Sequence, residues 1–222
     1  MSATHGKASR LGGPDDWFET PAWCVRRFLE ADPFPAQCYP QNTAGARWVE
    51  PAAGNGAIIK AVAAHGITVP FDAFEIREEE RANLEAVAAT VTIENFLSPF
   101  GAAPRSARVV ISNPPFQDAM PFITTAIECY PLAWVAFLLR LPFLASEARS
   151  EFFRGNRPDV YVLPNRPSFT GNGKTDATDY CWCVWPPAGA VPAGGSIRWL
   201  ASTPASERRA PAPCASPGRR TG

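Results

Sequence analysis

Apolar and polar positions along this chain fall into short blocks that alternate between a strand period and a helix period. Apolar blocks at 47–50, 71–76, 91–93 and 109–111 read as strands, and three more are predicted at 134–139, 160–163 and 180–185. Between them, helical spacing covers 57–65, 77–89, 118–130 and 145–154. An earlier helix is predicted over 21–31, with Val25, Phe28 and Leu29 on one face, Thr20 as N-cap and Pro21 in the first helical position. Strands alternating with helices predict an α/β fold, a mostly parallel, doubly wound sheet of about seven strands with helices on both faces. The last two of these strands are joined by a long loop, 164–179, without helical pattern, and loops of that length usually carry function.

Composition sets the domain limits. Residues 1–16 are small and polar, broken by Gly12-Gly13-Pro14, and read as a flexible N-terminus. Residues 17–186 form one folded domain, the size expected for most of a 222-residue, 24.0 kDa chain. Residues 187–222 are rich in Ala, Pro and Arg and read as disordered, with a candidate edge strand at 197–200. No apolar run reaches the roughly 18 residues of a membrane span, and residues 1–10 lack the apolar core of a signal peptide.

Net charge is zero, so the whole chain offers phosphate no general attraction; affinity for bulk nucleic acid should be modest and must come from local basic residues. Six cysteines, Cys24, Cys38, Cys129, Cys181, Cys183 and Cys214, include no CxxC pair. Cys181 and Cys183 would share one face of a strand, but His5 and His65 are distant in sequence. Buried thiols in a reducing compartment are therefore expected in preference to a metal site.

Chemistry concentrates where strands end. Asn113-Pro114-Pro115-Phe116 follows the apolar run 109–111. Two prolines force a rigid, extended loop at a strand's carboxyl edge, where ligands bind in open α/β sheets. That loop presents an amide, a bare carbonyl and an aromatic ring together, a set suited to gripping a planar substrate by its amino group. Glu50-Pro51-Ala52-Ala53-Gly54-Asn55-Gly56 is a turn between the first strand and a helix, in which Gly54 and Gly56 permit positive φ and close approach of backbone to a ligand. It is neither the dinucleotide fingerprint nor a phosphate loop. Glu75 ends the next strand, where an acid serves ribose hydroxyls in dinucleotide sites. Each feature alone has an ordinary explanation, a tight turn or a solvated carboxylate beside Arg77. Together they favour a nucleoside-containing ligand, and with nothing basic near the glycines, one without phosphate.

In this order the motifs resemble those of the S-adenosylmethionine-dependent DNA adenine amino-methyltransferases, in the motif order of their gamma class and compact phage-type members. The resemblance runs from about residue 14 to 186. Phe18-Glu19-Thr20-Pro21 resembles the N-terminal cofactor motif, residues 50–56 the cofactor loop, and Glu75 the ribose-binding acid. Glu94-Asn95-Phe96-Leu97 resembles a segment usually read as Asp-Phe-Leu, whose acid contacts the cofactor adenine; here Asn95 replaces the acid and its amide oxygen can still accept a hydrogen bond. Asn113-Pro114-Pro115-Phe116 resembles the catalytic motif, with Phe where Tyr is common. Arg166-Pro167-Ser168-Phe169 resembles a later motif whose aromatic packs on the extruded base.

The resemblance implies a Rossmann-like class I methyltransferase fold, S-adenosylmethionine as cofactor and DNA adenine as substrate, in a cytoplasmic monomer or weak dimer of a bacterial or phage-infected cell. Cofactor residues are then Thr20, Pro21, Glu50, Pro51, Gly54, Gly56, Glu75, Asn95 and Phe96. Asn113, Pro114 and Phe116 are catalytic, with Pro115, Arg140, Arg166, Phe169 and Lys174 on the substrate, Phe116 and Phe169 being candidates for the two faces of the base. Larger relatives carry a separate target-recognition domain; here sequence recognition is expected to come from short loops or a partner, or to be relaxed. RNA adenine or protein glutamine methyltransferases share the Asn-Pro-Pro-aromatic motif, and a non-catalytic binding protein is the reading from another class.

Overall fold

The computed structural model describes residues 18–39, 41–98, 107–169, 175–190 and 194–208. Its eight-stranded sheet has the order β3-β2-β1-β4-β5-β7-β6-β8. The strands are β1 (Trp48–Glu50), β2 (Phe71–Glu75), β3 (Thr90–Ile93), β4 (Val109–Ser112), β5 (Trp134–Arg140), β6 (Asp159–Val162), β7 (Tyr180–Trp185) and β8 (Ile197–Trp199). The helices are α1 (Ala22–Leu29), α2 (Ala57–Ala64), α3 (Arg81–Glu85), α4 (Ala119–Cys129) and α5 (Ser150–Gly155).

From β3 to β5 all neighbours are parallel, while β7 runs antiparallel to both β5 and β6. The eighth strand is the candidate edge strand at 197–200, paired parallel to β6. Chain order reverses between β1 and β4, so a crevice opens above their carboxyl ends, the usual ligand position of such sheets.

Strand alternation divides the core by sheet face. Trp48, Val109 and Ile111 face one way and pack with α1 and α2 residues; Val49 and Val110 face the other and pack with α4 residues such as Phe122 and Ile123. On the first face Phe28 of α1 stacks on Trp182 of β7 at 4.5 Å and 10°. Cys181 and Cys183 lie on the second face, fully buried, with their sulfurs 3.7 Å apart.

Three predicted helices change. The first begins at Ala22, with Pro21 in the N-cap position and its carbonyl accepting from Cys24 N at 2.9 Å. Thr20 is therefore outside the helix and its hydroxyl is used elsewhere. The stretch 77–89 becomes a 3-10 turn, Glu78–Glu80, and the short α3. Leu84 is α3's single buried residue, and Ala89 N donates to Phe71 O at 2.9 Å, so the backbone has already left the helix for the sheet. The stretch 145–154 starts late, because Ser146 is extended (φ −154°), and divides into a 3-10 turn, Glu147–Arg149, and α5.

Candidate active site

The crevice holds a cavity of about 260 Å³ lined by Phe18–Thr20, the turn after β1, Glu75–Arg77, Asn95–Leu97 and Asn113–Asp118. On its β1 side, Gly54 and Gly56 take left-handed conformations, φ 55° and 78°. A Cβ on Gly56 would lie 2.9 Å from Val87 Cγ2, so glycine lets the start of α2 seat against that neighbour. Glu75 fastens this turn from the next strand. Its Oε2 accepts from Gly54 N at 2.7 Å; Oε1 accepts from Ile76 N and Arg77 N at 3.1 Å and from Arg77 Nε at 2.9 Å. The Glu75 carboxylate is thus built into the loop it faces.

Glu50, one strand over, is 1% exposed and its Oε2 has no hydrogen-bond partner. Burial, and secondly the charge of Glu75, pushes its carboxyl well above the ordinary value of 4.5. An unfolded Glu50 ionises near 4.5 while the folded one keeps its proton to higher pH. The folded state therefore binds more protons above that value, and stability falls as pH rises through it. In the ligand-free protein Glu50→Gln is expected to match wild type in Tm near pH ~4 and to exceed it increasingly toward pH ~8. Calorimetry at several pH values checks this; a pH-independent difference contradicts it.

Opposite this wall, β4 delivers Asn113 into the cavity, followed by buried Pro114 and half-buried Pro115 and Phe116. Asn113 Nδ2 donates to Thr20 Oγ1 at 3.1 Å, across 93 positions of sequence. Its Oδ1 is buried with no partner. The neighbouring Glu19 accepts from Asn55 Nδ2 at 3.1 Å. Residues 19–20 therefore tie both loops together, one link to each.

Asn95 Oδ1 accepts from Leu97 N at 2.9 Å, which leaves its second lone pair for a ligand. Phe96 borders the cavity but is chiefly a core residue, 1% exposed and in contact with the rings of Phe74, Phe122 and Tyr130. Pro21 and Gly56 shape the site without lining it.

Above the Asn-Pro-Pro-Phe loop lies an aromatic cluster. Phe116 stacks with Phe18 (centroids 5.7 Å, 26°) and meets Phe169 edge-on (6.2 Å, 68°), while Tyr180 touches both Phe116 and Phe169. Phe169 thus touches Phe116 directly, and the ring that lies nearly parallel to Phe116 is Phe18. Arg140 covers the Phe116 ring at 4.2 Å. Arg166 is exposed and bonded to Asp179 at 2.7 Å, and Lys174 lies outside the described residues.

Sequence reading missed Phe18, Glu19, Asn55, Asp176 and Tyr180 as members of the site. Phe18 and Glu19 stand inside a motif already singled out, so the signal for them was present. Tyr180 is an ordinary strand residue by pattern and becomes visible only through its pairing with Arg140.

No protein-family model matches the chain, and no curated protein matches it by sequence. Solved structures do share its architecture. A Listeria monocytogenes protein described as a class I S-adenosylmethionine-dependent methyltransferase superposes with a TM-score of 0.56 at 15% identity, over 81% of this chain and 65% of its own. The 23S rRNA methyltransferase ErmE gives 0.55 at 12% identity, over 78% and 70%. DrdV, solved as a DNA complex, gives 0.56 at 15% identity over 84% of this chain and 27% of its own. The chain therefore spans just under two thirds of the Listeria protein and about a quarter of DrdV. At such identities the likeness is one of fold, and the fold is the Rossmann-like class I methyltransferase fold. Within that class the neighbours include RNA-directed and DNA-bound proteins, so the substrate has to be argued from this chain's own site.

Proposed function

We propose that this protein transfers a methyl group from S-adenosylmethionine to the exocyclic N6 amine of an adenine turned out of DNA. One observation carries the reading: Asn113 presents a buried, unpaired Oδ1 to the cavity while its Nδ2 is held by Thr20. A buried acceptor without a partner is costly unless a ligand completes it. The Thr20 bond fixes which end of the amide faces the substrate, so the site is set to accept an N–H.

The lining suits the donor. The turn at Gly54 and Gly56 lets backbone approach closely, Glu75 is an acceptor for ribose hydroxyls, and Asn95 and Phe96 flank the far side beside Leu97. Glu50 Oε2 is an unpaired polar atom in the same wall, next to Pro51, and Thr20 lines the cavity with Pro21 following it in the chain. When bound, S-adenosylmethionine supplies an electrophilic methyl group.

The chain's own contribution is positioning. An adenine amine is a weak nucleophile because its lone pair is delocalised into the ring. Asn113 Oδ1 and the Pro114 carbonyl accept its two hydrogens and draw the nitrogen toward tetrahedral geometry, with the lone pair directed into the cavity. Proline fixes the direction of that carbonyl. Extruding the base costs a few kcal/mol and calls for flat partners, which Phe116, Phe169 and Phe18 provide beside Pro115. Arg166 and Lys174, on the 164–179 loop, serve the nucleic-acid backbone.

The test is transfer of labelled methyl to duplex DNA, to RNA and to a protein bearing Gly-Gly-Gln. Label on adenine of duplex DNA is expected. Label on RNA adenine or on the protein alone would reassign the substrate, and label on none of the three despite donor binding would overturn the enzymatic reading.

A further inference from the structure

Arg140 is from sequence a candidate DNA contact, yet its guanidinium is already engaged by partners within the protein. It ends β5, where the antiparallel register sets it opposite Tyr180 of β7. Its Nε donates to Tyr180 Oη at 3.1 Å and its terminal nitrogen to Asp176 Oδ2 at 3.4 Å. Tyr180 Oη in turn donates to the same Asp176 oxygen at 2.5 Å. The guanidinium carbon lies over the Phe116 ring, 4.2 Å from its centroid.

Three groups therefore use one side chain at once: a phenol and a carboxylate as acceptors and an aromatic ring beneath its cationic carbon. Asp176 is itself anchored, its backbone N–H donating to Pro167 O at 2.8 Å and its Oδ1 accepting from Thr178 N at 3.3 Å. Pro167 stands two residues before Phe169, which also contacts Tyr180 at 5.2 Å. The network thus joins the Asn113-Pro114-Pro115-Phe116 loop to the later loop that supplies the second ring.

We infer that Arg140 is a positioning residue of the base pocket. It clamps the Phe116 ring and locks the two aromatic-bearing loops in register, through Tyr180 and Asp176, and is not a phosphate contact. The inference rests on the function proposed above. It also explains the residue type. A guanidinium carries its donors on a rigid, spread fork that reaches both acceptors while its carbon stays over the ring, whereas an ammonium offers all its donors from one compact point on a flexible stem. A phosphate contact makes no such demand.

Arg140→Lys against Arg140→Ala separates the two roles. For a positioning residue, both variants lose kcat on DNA by about tenfold or more, while DNA affinity and the slope of its logarithm against salt stay those of wild type. A Lys variant with wild-type kcat, beside an Ala variant whose salt slope falls by about one, identifies a phosphate contact and overturns the inference. Wild-type kcat in both variants overturns it equally.

A second arm does not depend on turnover: a double-mutant cycle of Arg140→Lys with Phe116→Leu, read by thermal unfolding. The clamp requires the two effects to be non-additive, and additivity within error overturns it. If wild type methylates no substrate, the enzymatic reading fails while this cycle still decides whether Arg140 holds the ring.

Discussion

Asn113→Ala is expected to lower kcat for methyl transfer about 10²–10³-fold, the loss typical when one precisely aimed polar group is removed from a reacting centre. Donor affinity and Tm should change little. Alanine deletes a buried oxygen that has no partner in the ligand-free protein, so folding loses only the Thr20 bond. The measurement is single-turnover transfer to duplex DNA, together with calorimetric binding of the donor. Retention of the wild-type rate would remove Asn113 from the mechanism. Asn113→Asp sharpens the test, because its carboxylate can only accept: the Thr20 hydroxyl would have to turn and donate, and the distinction between the two ends of the amide is lost. It should therefore be slower than wild type although it keeps an acceptor. Thr20→Val removes the same restraint from the other side, and Thr20→Ser should restore it.

The parallel half of the sheet and the loops at its switch point are legible in the sequence because each strand is a short apolar run cut off by turn chemistry. Val109 to Ile111 ends at Asn113-Pro114-Pro115, and Trp48 to Glu50 ends at Pro51 and the glycines. Register with neighbours adds nothing to that signal. The aromatic cluster is different. Phe18, Phe116, Phe169 and Tyr180 come from four separate segments, and only the insertion of β7 between β5 and β6 sets Tyr180 against Arg140. A hairpin reading would instead leave the last strand at the edge.

Short helices are poorly legible for a related reason. Residues 77–89 have good helix formers and charged pairs such as Arg81 with Glu85, but α3 has one buried anchor and the demand of β3 for backbone partners prevails. Thr20 is a third kind of case. Its residue type suits an N-cap, and the same hydroxyl that would cap α1 is taken by Asn113, a partner invisible without the fold.

Glu75→Ala should weaken binding of S-adenosylmethionine roughly 10- to 100-fold, since it deletes an acceptor from the ligand wall and frees the turn that forms it. The two effects are separable. Gly54 N loses its acceptor at 2.7 Å, and Arg77 loses the partner of its Nε at 2.9 Å, so the variant is also expected to unfold at lower temperature. Glu75→Gln retains an oxygen for Gly54 while its amide nitrogen meets donors on the Arg77 side. It should therefore recover part of the stability and less of the affinity. Both variants remove the charge that helps raise the Glu50 carboxyl, so the fall of stability with pH should move to lower pH than in wild type or flatten. Titration calorimetry with the donor and unfolding at several pH values test all three statements. Unchanged donor affinity in Glu75→Ala would contradict the ribose assignment whatever happens to stability. An unmoved pH profile would mean that burial alone, without Glu75, holds the proton on Glu50.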